Sequence, residues 1–250
     1  LNDGVNSSDF LISSQLIGGG SEFLAPSALH YKEEVMITSS GPLKARSLID
    51  NQWSALTETV FAVGIPASPE TLVISEIMYH AKEGSDYDYI ELMNISSTER
   101  LHLGGIKFIE GIQFEFPYGI DLPPRGRLLL VSDLDAFVQK YGEEISVVGE
   151  FSGNLNNGGE RLLLVDHSGQ IIRDFSYLDD AGWPQAADGE GPSLILKYPE
   201  SSPDHSKGQN WRKSRFPGGN PGKTDTTRFK GNPSEDFDGD LIPALLEYAM

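Results

Sequence analysis

The sequence predicts an all-β protein, built around an immunoglobulin-like antiparallel β-sandwich with a truncated small β module before it and a flexible acidic tail after it. Three observations carry this. Apolar runs are short, five to seven residues, as in Leu72-Val73-Ile74-Ser75-Glu76-Ile77-Met78 and Arg161-Leu162-Leu163-Leu164-Val165. The 27 glycines and 15 prolines punctuate these runs at strand spacing, the pattern of sandwiches and barrels. Long helical periodicity is nearly absent, and the chain has no cysteine, so alternation rather than a disulfide framework must specify the fold.

Residues 1–66 read as the C-terminal part of a small β module. Residues 1–30 are Ser/Gly-rich and read as loop. Val35-Met36-Ile37-Thr38, Leu43-Lys44-Ala45-Arg46-Ser47-Leu48 and Thr57-Glu58-Thr59-Val60-Phe61-Ala62-Val63 are strand candidates, too few to bury a core by themselves. Ile65-Pro66-Ala67-Ser68-Pro69-Glu70 carries two prolines in four residues, which makes residues 67–70 a stiff linker. Residues 71–223 are dense in strands. Leu72 to Met78, Tyr87 to Met93, Ile112 to Phe116, Arg127 to Val131, Arg161 to Val165, Gln170 to Tyr177 and Ser193 to Tyr198 give about seven or eight strands over roughly 150 residues, as a sandwich requires. The two leucine-rich runs are apolar without alternation, so both of their faces are expected to be covered. One helix is expected from Asp133 to Tyr141, capped by Ser132, with Phe137 and Tyr141 on one face. The Gly158-Gly159 pair, Gly189 and Gly191 are expected to allow positive φ in tight turns, and Trp183 and Trp211 are expected to close the sandwich ends. Residues 224–250 read as a polar linker.

The formal charge of −18, from 19 Lys+Arg against 37 Asp+Glu, excludes nucleic acid and anionic membranes as general partners, because both bind by neutralisation with Lys and Arg. No apolar run reaches the ~20 residues that span a bilayer. The chain starts without a basic-then-apolar leader and stops inside an apolar run, the pattern expected of a piece of a longer polypeptide. The sharpest chemical signal is acidic. Asp236, Asp238 and Asp240 fall at positions 1, 3 and 5 of a calcium loop, the Ile242 carbonyl at 7 and Glu247 at 12. Hard Ca²⁺ needs such oxygens on a short, sharply folded segment. Leu241 stands where such loops carry glycine, and the competing reading is a solvated acidic linker.

No catalytic residues emerge. His30, His80, His102, His167 and His205 have no metal-ligand spacing, and no nucleophile elbow is present. Glu83, Asp86 and Asp88 can meet in one loop, read as a solvated acidic face. Tyr79, Tyr87, Tyr89 and Tyr118 are candidate stacking platforms for a carbohydrate.

Residues 71–223 resemble the bacterial lamin tail domain. The landmarks run in order through Ile74-Ser75-Glu76-Ile77-Met78-Tyr79, Asp88-Tyr89-Ile90-Glu91-Leu92-Met93-Asn94, Leu103-Gly104-Gly105, Phe114-Glu115-Phe116-Pro117 and Asn154-Leu155-Asn156-Asn157-Gly158-Gly159-Glu160. They continue in Asp166-His167-Ser168-Gly169, Trp183-Pro184, Asp188-Gly189-Glu190-Gly191-Pro192-Ser193-Leu194, Asn210-Trp211 and Gly218-Gly219-Asn220-Pro221-Gly222. Residues 31–63, through Tyr31, Leu43-Lys44-Ala45-Arg46 and Trp53 to Phe61, resemble the end of a chitobiase/hexosaminidase C-terminal-like module. Residues 236–247 resemble a thrombospondin type-3-like calcium repeat. These resemblances imply a non-catalytic module of a large exported bacterial protein, extracellular or at the cell surface. Its implied partners are other domains of the same polypeptide and a surface protein or polysaccharide, with Ca²⁺ as the expected ion. A carbohydrate-binding module is the alternative, and an enzyme the third reading.

Overall fold

The computed structural model describes residues 9–13, 29–31, 34–49, 52–180 and 182–225. Its N-terminal sheet contains β1 (Asp9–Ser13), β2 (Leu29–Tyr31), β3 (Gly41–Ile49), β4 (Gln52–Trp53) and β5 (Thr57–Phe61). The order is β2-β1-β3-β4, with β5 also on β3. Strand β1 lies where the sequence reads as loop. Residues 35–38, expected to be a strand, are irregular: Met36 is 86% exposed, so this run has no layer to alternate against. Every residue of β5 is exposed. Its ladder on β3 is held by backbone pairing and by the ion pair of Lys44 with Glu58 at 3.1 Å.

The second body begins with β6 (Ile65–Pro66), which pairs in parallel with β9 (Leu101–His102). Ala67 is buried in the core. The proline segment read as a stiff linker between two units is tied to the sandwich at Ile65, Pro66 and Ala67. The order along the chain is β7 (Leu72–Met78), β8 (Tyr89–Asn94), β9, β10 (Lys107–Glu110), β11 (Phe114–Glu115), β12 (Asp121–Leu122) and β13 (Arg127–Val131). Then come α1 (Leu134–Tyr141), β14 (Val147–Glu150), β15 (Glu160–Val165), β16 (Ile171–Tyr177), β17 (Leu194–Leu196) and β18 (Trp211–Lys213). One layer is a six-stranded sheet, β14-β13-β8-β7-β17-β18. The other is formed by β11-β10-β15-β16 and β12-β9-β6. The facing residues, among them Ile74, Leu92, Leu130, Leu162, Leu164 and Phe175, make one continuous core.

The leucine-rich runs are covered on both faces, as expected. In β13, Leu128 and Leu130 enter the main core, while Leu129 and Val131 pack with Met78, Tyr89 and Phe137 under α1. That helix is the crossover joining the parallel pair β13 and β14, because parallel neighbours cannot be joined by a tight turn. Its cap is Asp133, not Ser132: the Asp133 carboxylate accepts from Ala136 N at 2.8 Å. Ser132 instead donates its hydroxyl to the Ser85 and Asp88 carbonyls. An extended φ of −142° puts Asp133 in the geometry that an N-cap needs. Asp133→Ala is expected to lower the unfolding free energy by about 1 kcal/mol in a urea titration, whereas Ser132→Ala leaves the helix cap intact.

Gly159, Gly189 and Gly191 do take positive φ. Trp183 and Trp211 close one end, their rings 5.9 Å apart, with Phe175 stacked on Trp211 at 6.0 Å.

A buried carboxylate latch beside an open groove

The outer face of the six-stranded sheet holds the site. Strand β7 is buried along its whole length although it contains Ser75 and Glu76. A β-bulge between Ile74 and Glu76 explains this: the register with β8 shifts there. The extra residue turns Ser75 and Glu76 toward the same side as Glu91, which lies opposite Glu76 on β8. Bulges re-aim side chains in this way.

Both carboxylates are essentially without solvent contact, Glu76 at 1% and Glu91 at 0% exposure. Glu76 Oε1 accepts from Tyr89 Oη at 2.5 Å, Ser193 Oγ at 2.6 Å and the Asn220 backbone N–H at 2.9 Å. Glu91 accepts from Ser75 Oγ at 2.5 Å and the Gly222 N–H at 2.7 Å, and its charge is met by Arg127. Tyr141 Oη donates to the Gly218 carbonyl at 2.7 Å, and Tyr89 Oη, whose proton goes to Glu76, lies 3.2 Å from the same oxygen. Residues 218–222 are thus clamped onto the sheet by two acids and Tyr141. Gly219 sits at φ +78° with Tyr89 Oη, Glu76 and Ser193 so near that a Cβ there has no room, which is why the segment needs glycine.

Burial pushes the Glu76 carboxyl up to about 7, and the Glu91 charge beside it adds to the rise. Burial also raises Glu91, with Arg127 acting against it. The two acids differ in what meets them: Arg127 faces Glu91, whereas Glu76 meets neutral donors and the Glu91 charge. Asp88, buried at 1% exposure and accepting from Ala81 N, is raised to about 7, chiefly by burial. It is therefore not the solvated acid expected of it. Glu83 meets that expectation, exposed and paired with Lys140 at 2.9 Å.

The end of β7 makes a second buried contact. Strand β17 pairs with β7 only at Ile77 and Glu76. The Ile74 N–H beyond it is taken by Nε2 of His205 at 3.3 Å, while His205 Nδ1 lies 2.9 Å from the Pro203 carbonyl. These partners assign a neutral ring with its proton on Nδ1, and burial lowers its pKa to about 4. His80 pairs with Asp188 at 2.6 Å; His102 and His167 make no comparable pair among the described residues.

Of the four candidate platform tyrosines, Tyr79 and Tyr89 are corrected. They are 1% and 0% exposed and belong to the core layers: Tyr79, just past β7, packs on Tyr177, and Tyr89 on β8 packs on Phe137. Tyr87 is half-buried beneath Lys140. Tyr118 is exposed at 58%. Asp236, Asp238, Asp240, Ile242 and Glu247 lie outside the described residues.

Beside the latch, a groove of about 890 Å³ runs past Glu76, Arg127 and Ile195 to the 197–203 turn and residues 223–225. At its rim Tyr198 is 80% exposed. Sequence reasoning passed over this tyrosine, and over Glu76 and Glu91. The available signal for the two acids was a lone carboxylate inside an otherwise apolar strand, which burial makes expensive unless it is used.

Residues 65–179 match the family model of the Lamin Tail Domain. This match, together with the two facing sheets, establishes an immunoglobulin-like β-sandwich. The match begins at β6, in agreement with the pairing that ties Ile65 and Pro66 into the domain. The latch segment 218–222 lies beyond the matched residues. No curated protein and no solved structure matches the chain. No helix among the described residues is long and apolar enough to cross a membrane.

Proposed function

We propose that residues 65–225 form a non-catalytic spacer and docking module of a large exported bacterial protein, working outside the cell or at its surface. The observation that supports this best is the way in which the chain enters and leaves. It enters through β6, hydrogen-bonded in parallel to β9, and leaves through residues 218–222, held by Glu76 and Glu91. Tension applied to either flank therefore meets hydrogen-bonded backbone before it reaches the core. The buried polar groups are used for closure: each latch carboxylate is surrounded by donors from its own domain. An exported setting and a bacterial parent follow the resemblance to bacterial lamin tail domains, and the implied partners are neighbouring domains and a surface polymer or protein.

The 65–225 segment produced alone is expected to unfold in urea as one transition, with fluorescence and far-UV circular dichroism superimposing. Two separated transitions, or no transition, would overturn the assignment of these residues to one self-sufficient module.

For the tail, the reading is a calcium loop with Asp236, Asp238, Asp240, the Ile242 carbonyl and Glu247 as ligands. Calorimetric titration of the full chain with CaCl₂ is expected to show a site that Asp238→Asn with Asp240→Asn removes. A titration without binding heat, or one unchanged by the double variant, contradicts it.

A further inference from the structure

Among the described residues, three residues other than glycine have positive φ: Arg125 at 59°, Tyr198 at 50° and Ser202 at 46°. All three converge on one place. Tyr198 and Ser202 flank the 3-10 turn Pro199–Ser201, and Arg125 lies 3.9 Å from Glu200 within that turn. Left-handed backbone at a β-carbon-bearing residue is strained and is retained where surrounding structure enforces it. Here it sets the backbone that carries the most exposed aromatic ring of the described residues to the rim of the groove.

The groove's charge runs against that of the whole chain. Arg127, Lys197, Arg212, Arg215 and Lys223 line it, against Glu76, Glu200 and Asp225. Pairing removes charges of both signs: Arg127 meets Glu91, Arg212 binds buried Asp225, Arg125 faces Glu200, and Glu76 accepts three hydrogen bonds, so the lysines Lys197 and Lys223 carry the positive excess. Arg215 and Lys223 stand at the exposed side. In physiological salt, charges farther than about 8 Å are screened, so a ligand in the groove meets these cations rather than the net −18 of the chain.

We propose that this groove binds an acidic polysaccharide, with a sugar ring stacked on Tyr198 and carboxylate or sulfate groups held by the Lys197 and Lys223 side. This rests on the docking-module reading and names its ligand class. A glycan fits better than an acidic peptide. The recognition element is a flat, exposed ring on a constrained backbone beside an open polar groove, suited to the apolar face of a pyranose; an acidic peptide needs only the charges.

The test is binding of the full chain to polygalacturonate in about 0.15 M salt, read by affinity electrophoresis and calorimetry. Tyr198→Asn removes the ring while keeping a residue that tolerates left-handed backbone. It is expected to weaken binding roughly five- to tenfold, and Tyr198→Phe to retain it. Lys197→Ala with Lys223→Ala is expected to weaken binding and flatten its salt dependence. Tyr118→Ala, at the exposed tyrosine of a separate groove, is expected to leave binding unchanged. Absence of polygalacturonate binding, or equal binding of polyglutamate together with an unaffected Tyr198→Asn, would overturn the proposal. If the same protein still unfolds as a single cooperative domain, only the ligand class falls. Shortening of the polymer by the pure protein would remove the non-catalytic reading itself.

Discussion

Arg127→Met is expected to reduce the unfolding free energy of the domain by roughly 3–5 kcal/mol, the usual cost of leaving one member of a buried ion pair without its partner. Glu91 is fully buried and Arg127 is its one cationic partner among the described ion pairs. Methionine fills much of the same volume, so the loss reports the stranded charge rather than a cavity. Adding Glu91→Gln to Arg127→Met should recover most of the loss, because the neutral amide oxygen can still accept from the Gly222 N–H while its NH2 donates to Ser75 Oγ. A double-mutant cycle with urea denaturation measures this coupling. Additive losses would mean that the pair is not coupled, and the latch would then reduce to its hydrogen bonds.

Glu76→Gln is expected to change the pH dependence of stability more than its value at acidic pH. A carboxyl whose pKa rises from an ordinary 4.5 to about 7 on folding takes up a proton on folding. Its favourable contribution is complete below pH 4.5 and is lost as the pH climbs through 7. Asp88, raised to about 7, has the same sign. His205 has the opposite one. Its pKa falls on folding to about 4, so its contribution is present above 6.5 and is lost as the pH drops through 4. The glutamine variant removes the first contribution and leaves the other two. The difference between variant and parent should therefore grow in the variant's favour from pH 4.5 to above 7, by on the order of 2–3 kcal/mol. Thermal unfolding of both proteins across that range checks it. A constant difference would show that Glu76 keeps its ordinary affinity for protons in the fold.

Much of the fold was legible because alternation and punctuation are local signals. Leu162 to Val165 and Leu128 to Val131 announced two-sided burial by being apolar without a break, and Phe137 and Tyr141 announced the helix face. The helix cap slipped by one residue because Ser132 and Asp133 are both good caps, and only the tertiary position of Ser132 against Ser85 and Asp88 separates them. Strand β1 escaped because residues 1–30 have the composition of a loop, and a strand whose central residue Leu11 pairs with His30 and Arg46, 19 and 35 residues away, leaves no short-range pattern. The site was least legible. A bulge at Ser75 decides that Glu76 joins Glu91 on one face, and a one-residue insertion into a ladder cannot be read from period-2 alternation. Tyr79 and Tyr89 were indistinguishable from Tyr118 by composition. What separates them is packing by segments distant in sequence: Tyr177 lies on Tyr79, and α1 and residues 218–222 cover Tyr89.

The latch is tested most directly by hydrogen exchange at the backbone amides of Asn220 and Gly222, the two N–H groups held by Glu76 and Glu91. If the two acids close the domain as described, these amides exchange only when the whole sandwich unfolds, at the rates of the central strands β7 and β8. Exchange at the rate of an unprotected loop, with β7 and β8 still protected, would contradict the account and leave residues 218–222 as an ordinary surface segment.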